Sequence, residues 1–362
     1  YLIAALALVV AVAATVAWWG YQNHAAVQRL QAAGAELSLS NTEGALGMFT
    51  AKVDSFALGK AKANDALLAD ISQAGISPER LELAGSEVTD AGVGALGNFP
   101  SLAYLDLSGT AVGDEAWDEI QDIDSLKYLS LANTQVTEAA LAASNAWQQF
   151  ETLDLSGLQL SGGFVESVSA DCKLNSLVLN NTGIQLSQVA GLKACKNLSQ
   201  LSLAGAKLDA AGLQAIAQLG QLKSLDLSDT QLNAAGLRQL LSSMQLTHLK
   251  VANTQVGKQL GTTPLSAPAL TYFHIGDSGL DDNNIQALAG LTGLEELNLD
   301  GNTALSDAAV DVLVNLRNLK TVHITNTRMP ASSAHRLYRS LLKAIVYYGN
   351  AGSISYLGFR RK

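Results

Sequence analysis

Pairs of aliphatic residues one position apart recur through most of this chain at a fixed interval. The pairs are Leu81/Leu83, Leu105/Leu107, Leu129/Leu131, Leu153/Leu155, Leu177/Leu179, Leu201/Leu203, Leu225/Leu227, Leu249/Val251, Phe273/Ile275 and Leu297/Leu299, each 24 residues after the last. Val322/Ile324 follows after 25, the extra residue falling in the GNTAL turn at 301–305. Self-similarity at such a period restricts the chain to a stack of small units that cannot bury their apolar residues alone and draw stability from their neighbours.

Alternation of side chains along a strand gives each unit its local form. In a segment such as LDL the two leucines point into the core and the middle residue points out. Parallel strands, one per unit, then lie side by side, and eleven of them at about 4.8 Å make a sheet about 50 Å long. The polar residue after the strand (Thr110, Thr134, Thr182, Thr230, Thr254, Thr327) is placed to hydrogen-bond turn backbone that burial would otherwise leave unsatisfied. A short helix is expected next. Thr89-Asp90-Ala91-Gly92 puts an acceptor where a helix start needs one, with Val93, Leu96 and Phe99 facing inward.

The segments SLAYLDLSGTAV, SLKYLSLANTQV, QLKSLDLSDTQL and GLEELNLDGNTAL resemble leucine-rich repeats, with the pattern L-x-x-L-x-L-x-x-(N/T)-x-L. VTDAGVGAL, LDAAGLQAI and LNAAGLRQL resemble the T-D-A-G-L helix start of bacterial members. The resemblance covers about residues 76–330. It implies a horseshoe or arc and a binding role, and identifies no ligand.

The ends of such a stack need caps. HAAVQRLQAAGA reads as a helix, AELSLS as a strand and KANDALLADISQAG as an amphipathic helix. On the far side ASSAHRLYRSLLKAIVYYG reads as a helix running into a strand near Val346, and residues 350–362 as a tail. Pro264 and Pro268 argue against a regular helix in the stretch between Val256 and Leu270, where an extended convex side is expected. Cys172 and Cys195 lie 23 residues apart, almost one period, so a disulfide is conceivable; buried free thiols are the favoured expectation.

The first 19 residues carry no charge and would span about 28 Å as a helix, close to the thickness of a bilayer's hydrocarbon layer. Trp18 and Trp19 close the segment where amphipathic rings favour the headgroup layer, and Ala7, Ala11 and Thr15 form a small-residue stripe beside Leu6. A single membrane anchor is expected, with the large domain outside the cytoplasm because the basic residues that follow it are sparse.

Function on such a scaffold is expected on the exposed strand face. The outward column reads Glu82, Asp106, Ser130, Asp154, Val178, Ser202, Asp226, Lys250, His274, Asn298 and His323. The column before it contributes Tyr104 and Tyr128 early, and His248 and Tyr272 late. A partner-binding surface is therefore expected at Tyr104, Tyr128, His248, Lys250, Tyr272, His274 and His323. No metal is expected there, since His274 and His323 lie two strands, about 10 Å, apart. A second contact is expected at a basic C-terminal cap: residues 312–362 hold nine basic residues, among them Arg328, Arg336, Arg339 and Lys343, and no acidic one. The preceding 311 residues hold 14 basic and 32 acidic ones.

No nucleophile-elbow, zinc-protease or P-loop pattern appears, and the exposed aspartates are too far apart for a carboxylate pair, so no catalytic residue and no cofactor is expected. With 48% hydrophobic, 15% charged and 6% aromatic residues the composition excludes a disordered chain and argues against a nucleic-acid partner. The chain is read as α/β: a leucine-rich-repeat solenoid, parallel strands on the concave face and short helices on the convex face, behind one N-terminal transmembrane helix. Its parts are an anchor (1–21), a linker and N-terminal cap (22–75), the solenoid (76–330) and a basic cap and tail (331–362). The expected function is that of a non-catalytic accessory or scaffold subunit, anchored in the cytoplasmic membrane with its repeats in the periplasm, that binds proteins of a membrane complex. The alternative is a surface receptor or adhesin for a carbohydrate, envelope polymer or host protein.

Overall fold

The computed structural model describes residues 24–32, 34–40, 52–57, 63–144, 146–209, 211–341, 344–350 and 353–357. The expected anchor, with Leu6, Ala7, Ala11, Thr15, Trp18 and Trp19, lies outside the described residues, as does Lys343. Among the described residues no helix is long and apolar enough to cross a membrane.

The chain divides into two compact units, Tyr1–Gln159 with Asp171–Leu174, and Leu160–Ala170 with Asn175–Lys362. In the first, β1 (Glu36–Ser40) and β2 (Lys52–Ala57) pair antiparallel. From β2 the pairing is parallel and in strict register through β3 (Arg80–Glu82), β4 (Tyr104–Asp106), β5 (Tyr128–Ser130) and β6 (Thr152–Asp154). In the second unit the parallel strands are β7 (Ser176–Val178), β8 (Gln200–Ser202), β9 (Ser224–Asp226), β10 (His248–Lys250), β11 (Tyr272–His274), β12 (Glu296–Asn298), β13 (Thr321–His323) and β14 (Ile345–Asn350). Strands β3 to β13 are the eleven aliphatic-pair units.

β15 (Ser353–Leu357) turns back to pair antiparallel with β14. This corrects the expected tail at 350–362: Ile354, Tyr356 and Leu357 suit a strand, and Gly349, at a φ of 110°, sits where β14 nears its end.

Each three-residue strand buries its middle residue, and the second aliphatic follows it into the core: Leu81, Leu83, Leu105 and Leu107 are all fully buried. The Thr column does what its position predicts. Its hydroxyls donate to the carbonyl three residues back, Thr110 to Leu107 at 2.6 Å, Thr230 to Leu227 at 2.7 Å and Thr254 to Val251 at 2.7 Å. The residue at the turn position that precedes the Thr column (or Leu158, Ala206, Ser278 and Asn302 where the column is not Thr) is left-handed, whether glycine (Gly109, Gly157, Gly205, Gly301) or Asn and Asp (Asn133, Asn181, Asp229, Asn253, Asp277, Asn326). Only those residue types adopt this backbone at low cost. The rule explains why the middle residue of the turn is Gly, Asn or Asp, as in SGT, ANT, NNT, SDT, SGL, AGA, GDS and DGN, and never a branched residue.

The helix starts depart from expectation at Thr89. Its side chain caps nothing in the helix Asp90–Val93. Instead it donates to Asp65 Oδ2 of the preceding unit at 2.6 Å, while its N–H donates to Asp65 Oδ1 at 2.9 Å. The carboxylate wins because a charged acceptor makes the stronger hydrogen bond. The same bridge recurs from Asp114 to Thr137 and from Asp282 to Ser306. Asn233 does cap its own helix, accepting from Gly236 N at 2.9 Å. The motif glycine has a packing cause: a Cβ at Gly92 would lie 2.3 Å from Asp65 Oδ1, and one at Gly212 2.5 Å from Leu186 Cβ.

A short helix, Val256–Gln259, does open this stretch; Gly261, at a φ of 64°, ends it, and Pro264 and Pro268 keep it from resuming. Arg238 holds the extended stretch, donating to the carbonyls of Leu260 at 2.9 Å and Thr263 at 2.7 Å. Cys172 and Cys195 are both disulfide-bonded and not the free thiols that were favoured.

Candidate binding surface

The outward side chains of β3 to β6 form two columns. Arg80, Tyr104 and Tyr128, in register on three consecutive strands, make a stacked ladder. The Arg80 guanidinium lies 3.4 Å from the centre of the Tyr104 ring. Tyr104 and Tyr128 stack at 3.9 Å with their planes within 8°. Glu82 pairs with Arg80 at 2.6 Å. Burial, a hydrogen bond with Tyr104 and the nearby carboxylates of Asp106 and Asp154 push the Tyr128 phenol well above its ordinary value, so it stays neutral.

The aspartates of the neighbouring column serve the turn that follows them. Asp106, Asp154 and Asp226 each accept the N–H of the serine two residues on, at 2.9 Å in all three. Such caps use one carboxylate oxygen and leave the charge on the surface.

The second unit carries a different patch. Register sets His248 beside Tyr272, Tyr272 beside Glu296, and Lys250, His274, Asn298, His323 and Tyr347 in one row across five strands. His248 stacks on Tyr272 at 5.5 Å and His323 on Tyr347 at 4.4 Å. The His323 ring sits between two carboxylates, Glu296 at 3.8 Å and Asp300 at 3.9 Å. Lys250 faces Asp226 at 4.0 Å. His274 is half-buried, and its ring occupies the space over Gly276, where a Cβ would stand 2.9 Å from its Nε2. Burial first, and the charge of Lys250 second, hold its imidazole below the ordinary value. Beside Lys250 a shallow depression of about 160 Å³ runs over Ser224, Ser202 and Val178, whose short side chains leave the sheet low.

All five late residues predicted from the sequence therefore share one patch, and Tyr104 and Tyr128 share another in the other unit. Arg80 and Glu296 stand in the column of Tyr104 and Tyr272 in the sequence but are not among the residues it singles out, and sequence reasoning missed Asp300 and Tyr347. Tyr347 was within reach, since it lies 24 residues after His323 and continues the period. Among the described residues no three His, Cys, Asp or Glu side chains group as a metal site would.

Part of the positive charge of the C-terminal cap is met within the chain. Arg336 pairs with Asp311, and with Asp307 at 3.9 Å, both on the repeat before it. Lys320 pairs with Glu295 at 2.6 Å. Counting by sequence block separated these charges from carboxylates that stacking brings next to them. Arg328 and Arg339 make no ion pair among the described residues and are exposed.

No protein-family model matches the sequence, and no curated protein does. Solved structures do. A leucine-rich-repeat protein of Leptospira interrogans is similar with a TM-score of 0.50 at 19% identity, over 77% of this chain and 74% of that one. An internalin of Listeria monocytogenes gives 0.49 at 18%, over 83% and 90%. TLR13, in its complex with ssRNA13, gives 0.48 at 18%, over 80% of this chain and 46% of that one. Identities this low speak to the fold alone. With the 24-residue period, the one-strand repeat and the likeness to the Leptospira protein, the fold of this chain is a leucine-rich-repeat solenoid.

Proposed function

We propose that the chain is a non-catalytic binding protein, anchored in the cytoplasmic membrane with its repeats on the outer side, that serves as an accessory or scaffold subunit for other membrane or envelope proteins. The observation that carries this reading is the row from Lys250 through His274 and His323 to Tyr347. Aromatic rings, imidazoles and charges of both signs stand there in register on an outward sheet face. Rings with polar tips and a mixture of charges favour a protein surface. The acidic outward column, with Glu82, Asp106, Asp154 and Asp226, disfavours a nucleic acid. The disulfide supports an oxidising compartment, and the uncharged opening segment supports an anchor.

The test is detergent extraction of the native membrane and affinity capture of the full chain. A stoichiometric protein partner is expected, and the paired substitution Tyr272→Ala with His323→Ala should release it. A chain that purifies alone and binds glycan or envelope polymer would replace this reading with that of a surface receptor or adhesin.

A further inference from the structure

The ladder of the first unit stops short. Arg80 covers one face of Tyr104, Tyr104 covers one face of Tyr128, and the next in-register position, on β6, is Thr152. A threonine is too short to reach the height of a phenol ring. Among the described residues no ring or guanidinium lies on that second face of Tyr128.

The vacant position is not chemically neutral. On β3 the outward neighbour of Arg80 is Glu82, and the two are ion-paired. On β6 the corresponding neighbour of Thr152 is Asp154. Asp154 Oδ1 accepts from Ser156 N at 2.9 Å and from Ser156 Oγ at 2.6 Å, which leaves its other oxygen and its charge facing outward. The chain thus places a tyrosine face beside a carboxylate twice. It supplies the cation itself at one end and supplies none at the other.

We propose that the Tyr128 end of this ladder receives an arginine side chain presented by a protein partner, the guanidinium lying flat on Tyr128 above Thr152 with Asp154 as its counter-charge. This rests on the reading of the strand face as a protein-binding surface and names the partner chemistry for part of it. The planar, delocalised guanidinium suits both contacts, whereas a lysine ammonium cannot stack as a plate. An uncharged ring would leave the carboxylate unmatched.

The experiment uses the full chain in detergent at low salt and three short peptides that differ only in a central arginine, lysine or citrulline. Isothermal titration should find the arginine peptide bound more tightly than either of the others, by about fivefold. Thr152→Tyr extends the ladder with the protein's own ring and should abolish binding. Asp154→Asn keeps an oxygen for Ser156 and should weaken binding about fivefold without lowering the melting temperature. Three peptides that bind alike, no binding by any of them, or an arginine peptide indifferent to Thr152→Tyr would overturn the proposal. The broader reading fails separately: a native partner retained after the sheet-face substitutions would remove it, whatever the peptides do. A native partner that depends on the second-unit patch, with the arginine peptide unbound, would remove only this site.

Discussion

Asn302 grips Ser278 from one repeat away, its Oδ1 accepting from the backbone N–H and from the hydroxyl of Ser278, both at 3.2 Å. The same oxygen accepts from Leu280 N at 2.9 Å, and its amide donates to the carbonyls of Leu299 and Ile275 at 2.8 and 2.9 Å. Asn302 is fully buried. Asn302→Ala strands several backbone groups without water, so a loss of about 3 kcal/mol is expected in chemical denaturation. Asn302→Asp should cost at least as much, since it buries a charge and removes both donors.

Asp65 and Thr89 tie the N-terminal helix Asp65–Gln73 to the first full repeat. Asp65→Ala should lower stability by about 1–2 kcal/mol. Thr89→Ala should cost less, because the backbone N–H still donates. The double variant should fall short of the sum of the two, since both delete one interaction. A thermal melt of the four chains checks this.

The left-handed turn column predicts opposite outcomes for two neighbours. Gly157, at a φ of 74°, has Asn133 Oδ1 2.1 Å from where a Cβ would stand. Gly157→Ala should therefore destabilise by about 1–2 kcal/mol. Asn133→Gly meets no such strain, because the backbone is already at a φ of 56° and glycine tolerates it. Its effect should stay within about 0.5 kcal/mol.

His274 makes stability depend on acidity. Its folded pKa lies below the ordinary 6.5, through burial and Lys250, with His323 adding to them and Asp300 and Asp226 opposing. Below pH 6.5 the unfolded chain takes up a proton that the folded chain does not, so the folded state loses stability as the pH falls toward the lowered folded value. Above 6.5 the contribution is complete and flat. Melting temperature followed from pH 7.5 to 5 should drop, and His274→Gln should flatten part of that slope.

Most of the scaffold was legible because one strand residue in two must be buried, and the aliphatic pairs record it at every turn of the stack. The cap helices, the strand at 36–40, the Thr hydroxyls and the break at Pro264 were equally plain, each being a local consequence of residue type. Interactions between repeats were not legible. Nothing near Thr89 in sequence announces that Asp65 will take its hydrogen bond, or that Arg336 will meet Asp307 and Asp311. β2 and β15 were missed because they are cap strands outside the period. In the binding surface the residues were found column by column. Which of them touch depended on side-chain direction and on neighbours such as Asp300, which sits beyond the strand and so in neither column.

The bridges from Asp65 to Thr89, Asp90 to Gly113, Asp114 to Thr137 and Asp282 to Ser306 each reach 23 or 24 positions along the chain. A group on one rung therefore depends on the rung beside it and is indifferent to how many more there are. Duplicating or excising a whole rung restores a partner to nearly every surviving donor and acceptor, whereas an indel of any other length orphans them. The gene behind such a ladder can lengthen or shorten by copying itself in frame, and each new rung brings two fresh outward positions on which selection can write a different guest.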